Sequence, residues 1–371
     1  MAIHMTEFTY WRRWRTILGA ANPLPGAPLD PVSKWMLITR AYVHNMTLVS
    51  ALIGIMLAIQ VGNGVVNPVE AIIVVIGLVL AHAANNMIND FFDLMHGVDI
   101  DDYPRLKYGP HPIVHKLISK KGLLGLVFLC NLVDLLIAIY FYQKVGIEIL
   151  YFVFAGILIS VFYVAKPVRL KNLGLGEFGI FLIWGPLMVG GTFLALTGDN
   201  SNGEMLYDAM LFSVPYGLVV MAVVMGKHMD KYHDDREKPV HTLPVLIGLP
   251  ASSRITQFLI LFFFPATAFI VWQGHSLLLL VVFFALPRAI RSIKMIGRPV
   301  PGTPQEAFRI AYDAIPNHLK KGYTPDDPPD DYPIWPLWYV AWAFHFVRLA
   351  GALFVIGLVM DTLILTGIIS L

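Results

Sequence analysis

Apolar runs long enough to cross a lipid bilayer recur along the whole of this 371-residue chain, and they restrict it to very few architectures. Nine can be marked, at roughly 37–61, 68–95, 122–143, 147–165, 177–197, 208–227, 255–273, 275–292 and 337–370. Backbone polar groups in hydrocarbon must be satisfied within their own segment, so runs of this length predict helices. The expected fold class is an all-α integral membrane protein with nine transmembrane helices. A composition of 57% hydrophobic and 14% charged residues agrees with that class and departs from the soluble average. The last run exceeds one bilayer thickness, so it should tilt or project beyond the membrane.

Basic residues give the expected orientation. With the N-terminus inside and the helices threaded alternately, the inner segments collect Arg12, Arg13, Arg15, Lys34 and Arg40, then Arg105, Lys107, Lys116, Lys120 and Lys121. They also collect Lys166, Arg169, Lys171, Lys227, Lys231, Arg236, Lys238, Arg254 and the cluster from Arg288 to Lys321. The outer loops receive Lys144 alone, while Arg348 lies within the last run. So one-sided a distribution predicts an inner-face N-terminus and a multi-pass protein of the cell (inner or plasma) membrane, its polar site on the cytoplasmic side. Residues 1–35 contain Arg12, Arg13 and Arg15 but no cleavable apolar core, and are expected to form a cytoplasmic N-terminal segment before a single domain spanning 36–371. The net charge of +2 says little, because the basic residues are pooled on one membrane face, where topology alone explains them as readily as phosphate binding does, and no nucleic-acid partner is expected. The lone Cys130, inside an apolar run, implies neither a disulfide nor a metal cluster.

Two acidic stretches sit at the inner ends of predicted helices. The first reads Asn85-Asn86-Met87-Ile88-Asn89-Asp90-Phe91-Phe92-Asp93 and continues to Gly97-Val98-Asp99. Asn86, Asn89, Asp90 and Asp93 are spaced i, i+3, i+4, i+7, which places them on one helix face. The second reads Lys227-His228-Met229-Asp230-Lys231-Tyr232-His233-Asp234-Asp235, where Asp230 and Asp234 stand i, i+4. Carboxylates near a bilayer are costly unless they pair or bind metal. Two such faces directed at each other could hold Mg²⁺ through carboxylate oxygens, with phosphate oxygens completing the octahedron. A solvated or capping role suits one Asp pair; two pairs on one side, each followed by a basic loop, favour the ligand reading.

The loops add three polar regions. Asp93 to Lys121 carries Asp99, Asp101, Asp102, Arg105, Lys107, His111 and His115; Arg236-Glu237-Lys238 leads to Thr242-Leu243-Pro244; and roughly 293–336 is a proline-rich, charged insertion. The first two are read as a lid, the third as a partly ordered appendage. Asp99–Asp102 lacks the central Gly and terminal Glu of an EF-hand, and Pro112 between His111 and His115 argues against zinc. Asn131 and Asp134 suit an interhelical hydrogen-bonded pair better than a proton relay, and His82 suits cavity lining and core packing equally.

At this point the sequence resembles the UbiA superfamily of intramembrane prenyltransferases, and within it the 1,4-dihydroxy-2-naphthoate polyprenyltransferase branch. The likeness rests on Asn86-x-x-Asn89-Asp90-x-x-Asp93-x-x-x-Gly97-x-Asp99, on Asp230-x-x-x-Asp234 with Thr242-Leu243-Pro244-Val245 and Gly248, and on Tyr163-x-x-x-Pro167-x-x-Leu170-Lys171-x-x-Gly174-Leu175-Gly176-Glu177. It covers roughly 35–292 and the last helix. The resemblance implies a bundle around a central cavity and Mg²⁺-dependent transfer of a polyprenyl group from its diphosphate to an aromatic acceptor, as in quinone biosynthesis. It implies that Asn86, Asp90 and Asp93 coordinate one metal and Asp230 and Asp234 another, with Asn89 as an outer ligand. Asp90, Asp93, Asp230 and Asp234 would be the catalytic set; Asn89, Asp99, Lys166, Lys171, Lys227 and His111 would bind substrate. Three features depart from the pattern: His111-Pro112 where an Arg-Pro pair is common, Lys227 where an asparagine is usual, and the length of the insertion.

Two other functions stay open at the level of sequence. A related enzyme could prenylate a non-aromatic lipid or cyclise the chain, and the altered lid leaves room for either. An ion or phosphate transporter would place its ionisable groups near the bilayer midplane rather than at helix ends.

Overall fold

A computed structural model describes residues 9–23, 26–62, 65–100, 103–107, 109–198, 202–238, 240–320, 322–330 and 335–368. Every regular element among them is helical. The main helices are α1 (Tyr10–Ala20), α2 (Pro31–Ile38), α3 (His44–Val61), α4 (Pro68–Met95), α5 (Lys120–Val145), α6 (Glu148–Val164) and α7 (Gly176–Thr197). They continue with α8 (Gly203–Phe212), α9 (Val214–Met229), α10 (Tyr232–Glu237), α11 (Leu249–Trp272), α12 (Leu286–Ile296), α13 (Pro304–Ala311) and α14 (Tyr339–Leu365).

Among the described residues, six helices are long and apolar enough to span a membrane: α3 with its leading turn, α4, α5, α7, α11 and α14. Counting α8 and α9 as one span bent by 42° makes seven, against the nine expected. Three of the expected runs depart from a single long α-helix. The run at 147–165 yields the 17-residue α6, short of a bilayer thickness at ~1.5 Å per residue. The run at 275–292 is not one α-helix: Leu277–Ala285 is 3₁₀, and Pro287 opens the amphipathic α12. The run at 208–227 breaks at Ser213, one residue before α9 starts with Val214-Pro215. Within α7 the Trp184-Gly185-Pro186 sequence forms a π-turn over Ile183–Leu187, and Ser50 Oγ donates to the Trp184 carbonyl at 2.6 Å.

The chain divides into two compact units. One comprises Met1–Asn45, Ala83–Leu129 and Pro299–Trp338; the other comprises Met46–His82, Cys130–Arg298 and Tyr339–Leu371. In the first, Asp30 caps α2 and holds it to α1 by accepting from Ser33 N at 2.9 Å and Trp14 Nε1 at 3.2 Å. In the second, helix contacts depend on glycines, because lipid supplies no hydrophobic drive and close approach must do the work. A Cβ at Gly54 would fall 2.7 Å from the Val189 carbonyl oxygen, and one at Gly357 would fall 2.9 Å from that of Leu278. Tyr216, Phe263, Phe346 and Phe354 fill the interior between these contacts.

Candidate active site

The first acidic stretch lies in the first unit. Asn86, Asn89, Asp90 and Asp93 share one face of α4, as their spacing predicts. Gly97, at φ +71°, ends the helix and lets Val98 N donate to the Asp93 carbonyl at 2.8 Å, so the segment leading to Asp99 folds back on the last turn.

Asp90 is wholly buried, and both its oxygens are engaged by guanidinium groups. Arg105 donates Nε to Oδ1 at 2.9 Å and Nη2 to Oδ2 at 3.0 Å, while its Nη1 reaches the Gly109 carbonyl at 3.0 Å. Arg40 donates Nε to Oδ2 at 3.1 Å and Nη2 to Oδ1. Arg40 itself holds φ +56°, a left-handed conformation that costs a non-glycine residue and is kept by its surroundings. From sequence Arg40 counts only towards topology and Arg105 towards topology and the lid loop; nothing in their spacing marks them as partners of Asp90.

His111 is fully buried rather than solvated. Its Nδ1 accepts from Ile113 N at 3.2 Å and Val114 N at 3.3 Å, which assigns the neutral ring's proton to Nε2. That Nε2 lies 3.5 Å from Asp99 Oδ2 and 3.8 Å from Asp90 Oδ1. Potential ligand atoms of Asp90, Asp99 and His111 fall within 4.8 Å of one another, yet these three suit a metal poorly. The imidazole directs a proton, not a lone pair, at the carboxylates, and Asp90 is committed to two arginines.

A hard divalent cation finds a better donor set beside them. Asn86 donates Nδ2 to the Thr39 carbonyl at 3.0 Å, which leaves its amide oxygen to accept. Asn89 Oδ1 is buried with no hydrogen-bond partner. Asp93 is buried on the same face. These are oxygen donors only, the chemistry Mg²⁺ requires. Asn86, Asn89 and Asp93 thus offer an oxygen donor set that fits Mg²⁺, while Asp90, expected as a ligand, is paired here with Arg40 and Arg105.

The second stretch, in the other unit, departs from a continuous helix. α9 stops at Met229 and α10 begins at Tyr232, so Asp230 and Asp234 do not share one helix face as their i, i+4 spacing predicted. Asp230 accepts from Tyr339 N at 2.8 Å and Val340 N at 2.9 Å, capping the start of α14. Gly226 makes room for that approach: a Cβ there would stand 2.8 Å from the Tyr339 backbone. Asp234 is half-buried in the first turn of α10, whereas its neighbour Asp235 is completely buried.

Of the predicted phosphate-binding lysines, Lys171 is buried, Lys227 half-buried and Lys166 exposed, the last beside the cis Lys166–Pro167 peptide. Sequence analysis did not single out the buried pair next to them. His228 Nδ1 lies 2.6 Å from Glu177 Oε1, and Tyr163 Oη lies 3.5 Å from His228 Nε2. The signal was present in part, since Tyr163 and Glu177 belong to the Tyr163–Glu177 pattern. Lys231 is buried as well.

Apolar helices of spanning length, with polar motifs at the ends of two helices, define the class of a multi-pass membrane protein. The UbiA prenyltransferase family profile matches residues 47–312, and the chain belongs to that family; it is a prenyltransferase. UbiA prenyltransferase domain-containing protein 1 of Xenopus tropicalis is 24% identical over 267 residues, covering 70% of this chain and 74% of the relative. The Homo sapiens protein of the same name is 24% identical over 269 residues, covering 70% and 76%. These relatives do not carry the name of the naphthoate polyprenyltransferase branch that the motifs resemble. A solved structure described as digeranylgeranylglyceryl phosphate synthase in membranes matches with a TM-score of 0.51 at 14% identity, covering 90% of this chain and 99% of that one; the likeness is one of fold.

Proposed function

We propose that the enzyme transfers a polyprenyl group from its diphosphate to an aromatic acceptor of the naphthoate or benzoate type, the step that makes a quinone precursor. The carrying observation is the buried, unpartnered Asn89 Oδ1 on a face shared with Asn86 and Asp93, in a chain of the UbiA prenyltransferase family. Asn86, Asn89 and Asp93 would hold Mg²⁺ in the first unit, and Asp234 would serve a second ion. Bound Mg²⁺ supplies Lewis-acid neutralisation of a diphosphate leaving group. Lys171 and Lys227 present ammonium groups to phosphate oxygens, and the burial of Lys171 strengthens its field by excluding water. Asp90 holds Arg40 and Arg105 in place, so it acts on the site by positioning. Asp99 and His111 close the lid above the last turn of α4. The basic face, with the N-terminus, is assigned to the cytoplasmic side of the cell membrane.

The test is direct. Purified protein is incubated with Mg²⁺, a labelled polyprenyl diphosphate and a panel of naphthoate, benzoate and glyceryl phosphate acceptors, and products are identified by mass. A prenylated naphthoate or benzoate is the expected result. Prenylation of the glyceryl phosphate alone would overturn the aromatic acceptor, and diphosphate release without any adduct would point to cyclisation.

A further inference from the structure

We propose that α1 lies in the headgroup layer of the bilayer, with its outward apolar stripe among the lipids, and so anchors the N-terminal segment to the membrane surface. α1 belongs wholly to the first unit. One of its faces, carrying Thr16, Ile17 and Ala20, is buried in the protein. Water on the opposite face would call for polar side chains there. Instead Trp11 is 72% exposed and Leu18 42% exposed. Leu18 falls within about 20° of Trp11 around the helix, while Ala20 falls about 180° away. Arg15, also exposed, stands beside the stripe, about 40° from Trp11.

Contacts on either side of the helix hold that stripe outward. Trp14 Nε1 donates to Asp30 at 3.2 Å, and Arg13 Nη1 donates to the Pro28 carbonyl at 3.0 Å. Ala21, just past the last turn, lies against the lid at Gly109, where a Cβ would stand 3.0 Å from the Ala21 carbonyl oxygen. Rolling Trp11 inward would break all three contacts. α2, held to α1 through Asp30, adds the exposed pair Val32 and Trp35 with the exposed Lys34 between them.

The place of α1 in the fold names what covers the stripe. Neither α1 nor α2 is a spanning helix, yet α1 packs against Ala41–Val43, the turn that opens the first span, and that turn belongs to the same unit. A helix packed on the mouth of a span is held where the surface of the bilayer runs. Trp and Arg suit that boundary: the indole ring and the arginine stem meet acyl chains, while the N–H groups reach headgroup oxygens. A short helix with Trp and Leu on one side and arginine beside them is the pattern of an interfacial anchor. Positive-inside topology accounts for the arginines of this segment but not for an exposed Trp and Leu directly opposite its buried face.

The full chain is reconstituted into vesicles of phosphatidylcholine and phosphatidylglycerol with a nitroxide on one introduced cysteine at a time. Trp11→Cys and Leu18→Cys report on the stripe. Phe128→Cys, exposed on the spanning α5, is the lipid reference, and Asp326→Cys, exposed in the proline-rich insertion, is the water reference. All four positions are exposed, so the label displaces no buried side chain. Collision rates are measured with oxygen, which concentrates in lipid, and with a water-soluble nickel chelate present on both sides of the membrane. The oxygen-to-nickel ratio at positions 11 and 18 should exceed that at 326 several-fold and approach that at 128. A ratio at 11 and 18 equal to that at 326 would overturn the anchor by showing the stripe in water. Low collision rates with both reagents would also overturn it, by showing the stripe covered by protein.

Discussion

Asp90 and Asp93 stand three residues apart on one helix face, but Asp90 is paired with two arginines while Asp93 is proposed as a metal ligand. Removing Asp90 strands two buried guanidinium groups, and breaking a buried ion pair in this way costs about 3–5 kcal/mol. Asp90→Ala should therefore lower the thermal unfolding temperature in detergent by many degrees. Asn89→Ala and Asp93→Ala should instead reduce turnover by orders of magnitude with unfolding temperatures close to wild type, because they remove donor oxygens and leave no charge stranded. Thermal melts beside turnover measurements separate the two roles, and a stable, inactive Asp90→Ala would return Asp90 to the ligand set. At His111, Nδ1 accepts two backbone N–H groups, a task that a guanidinium cannot perform. His111→Arg should destabilise the lid, seen as faster amide hydrogen exchange across residues 109–118.

Helices were legible in the sequence where composition alone decides them, and opaque where backbone chemistry does. The apolar stretches that became α4, α5 and α11 needed only length and hydropathy. The 3₁₀ segment at Leu277–Ala285 is at least as apolar, and Gly357 passes close to it, a contact without a local signature. Gly226 is the analogous contact for α9 and α14. Gly226→Ala drives a Cβ into the Tyr339 backbone, so it should depress the unfolding temperature and the yield of folded protein more than Gly156→Ala, where a Cβ meets open space. The junction of α1 and α2 carries a pH signature. Burial works against ionisation of Asp30, but hydrogen bonds from Ser33 and Trp14 outweigh it and hold the carboxyl at about 2, below its ordinary 3.8. The unfolded chain takes up that proton first, so the cap's contribution is complete above roughly pH 5 and is lost as pH falls through 4 towards 2. Thermal stability of wild type and Asp30→Asn should differ at pH 7 and converge towards pH 2.

For the whole molecule, the site was readable to the extent that it consists of oxygen donors at helical spacing. Asn86, Asn89 and Asp93 were all named from sequence, whereas Arg40 and Arg105 reach Asp90 across separations of 50 and 15 residues that no periodicity records. Asp230 and Asp234 were named too, but the helix break between them redirects one of the two. Orientation is testable with the chain's own lone, buried cysteine as a quiet background. Lys166→Cys, at an exposed position, should react with an impermeant maleimide in inverted vesicles and not in intact cells; the reverse pattern would turn the protein over in the membrane. The Asp230 cap has a consequence for anyone who truncates, tags or splices this chain. Its partners, Tyr339 N and Val340 N, come more than a hundred positions later, so the motif is completed only when the C-terminal helix has been synthesised and delivered. A chain cut before residue 339 would keep every motif aspartate in its sequence and still lack a finished second motif.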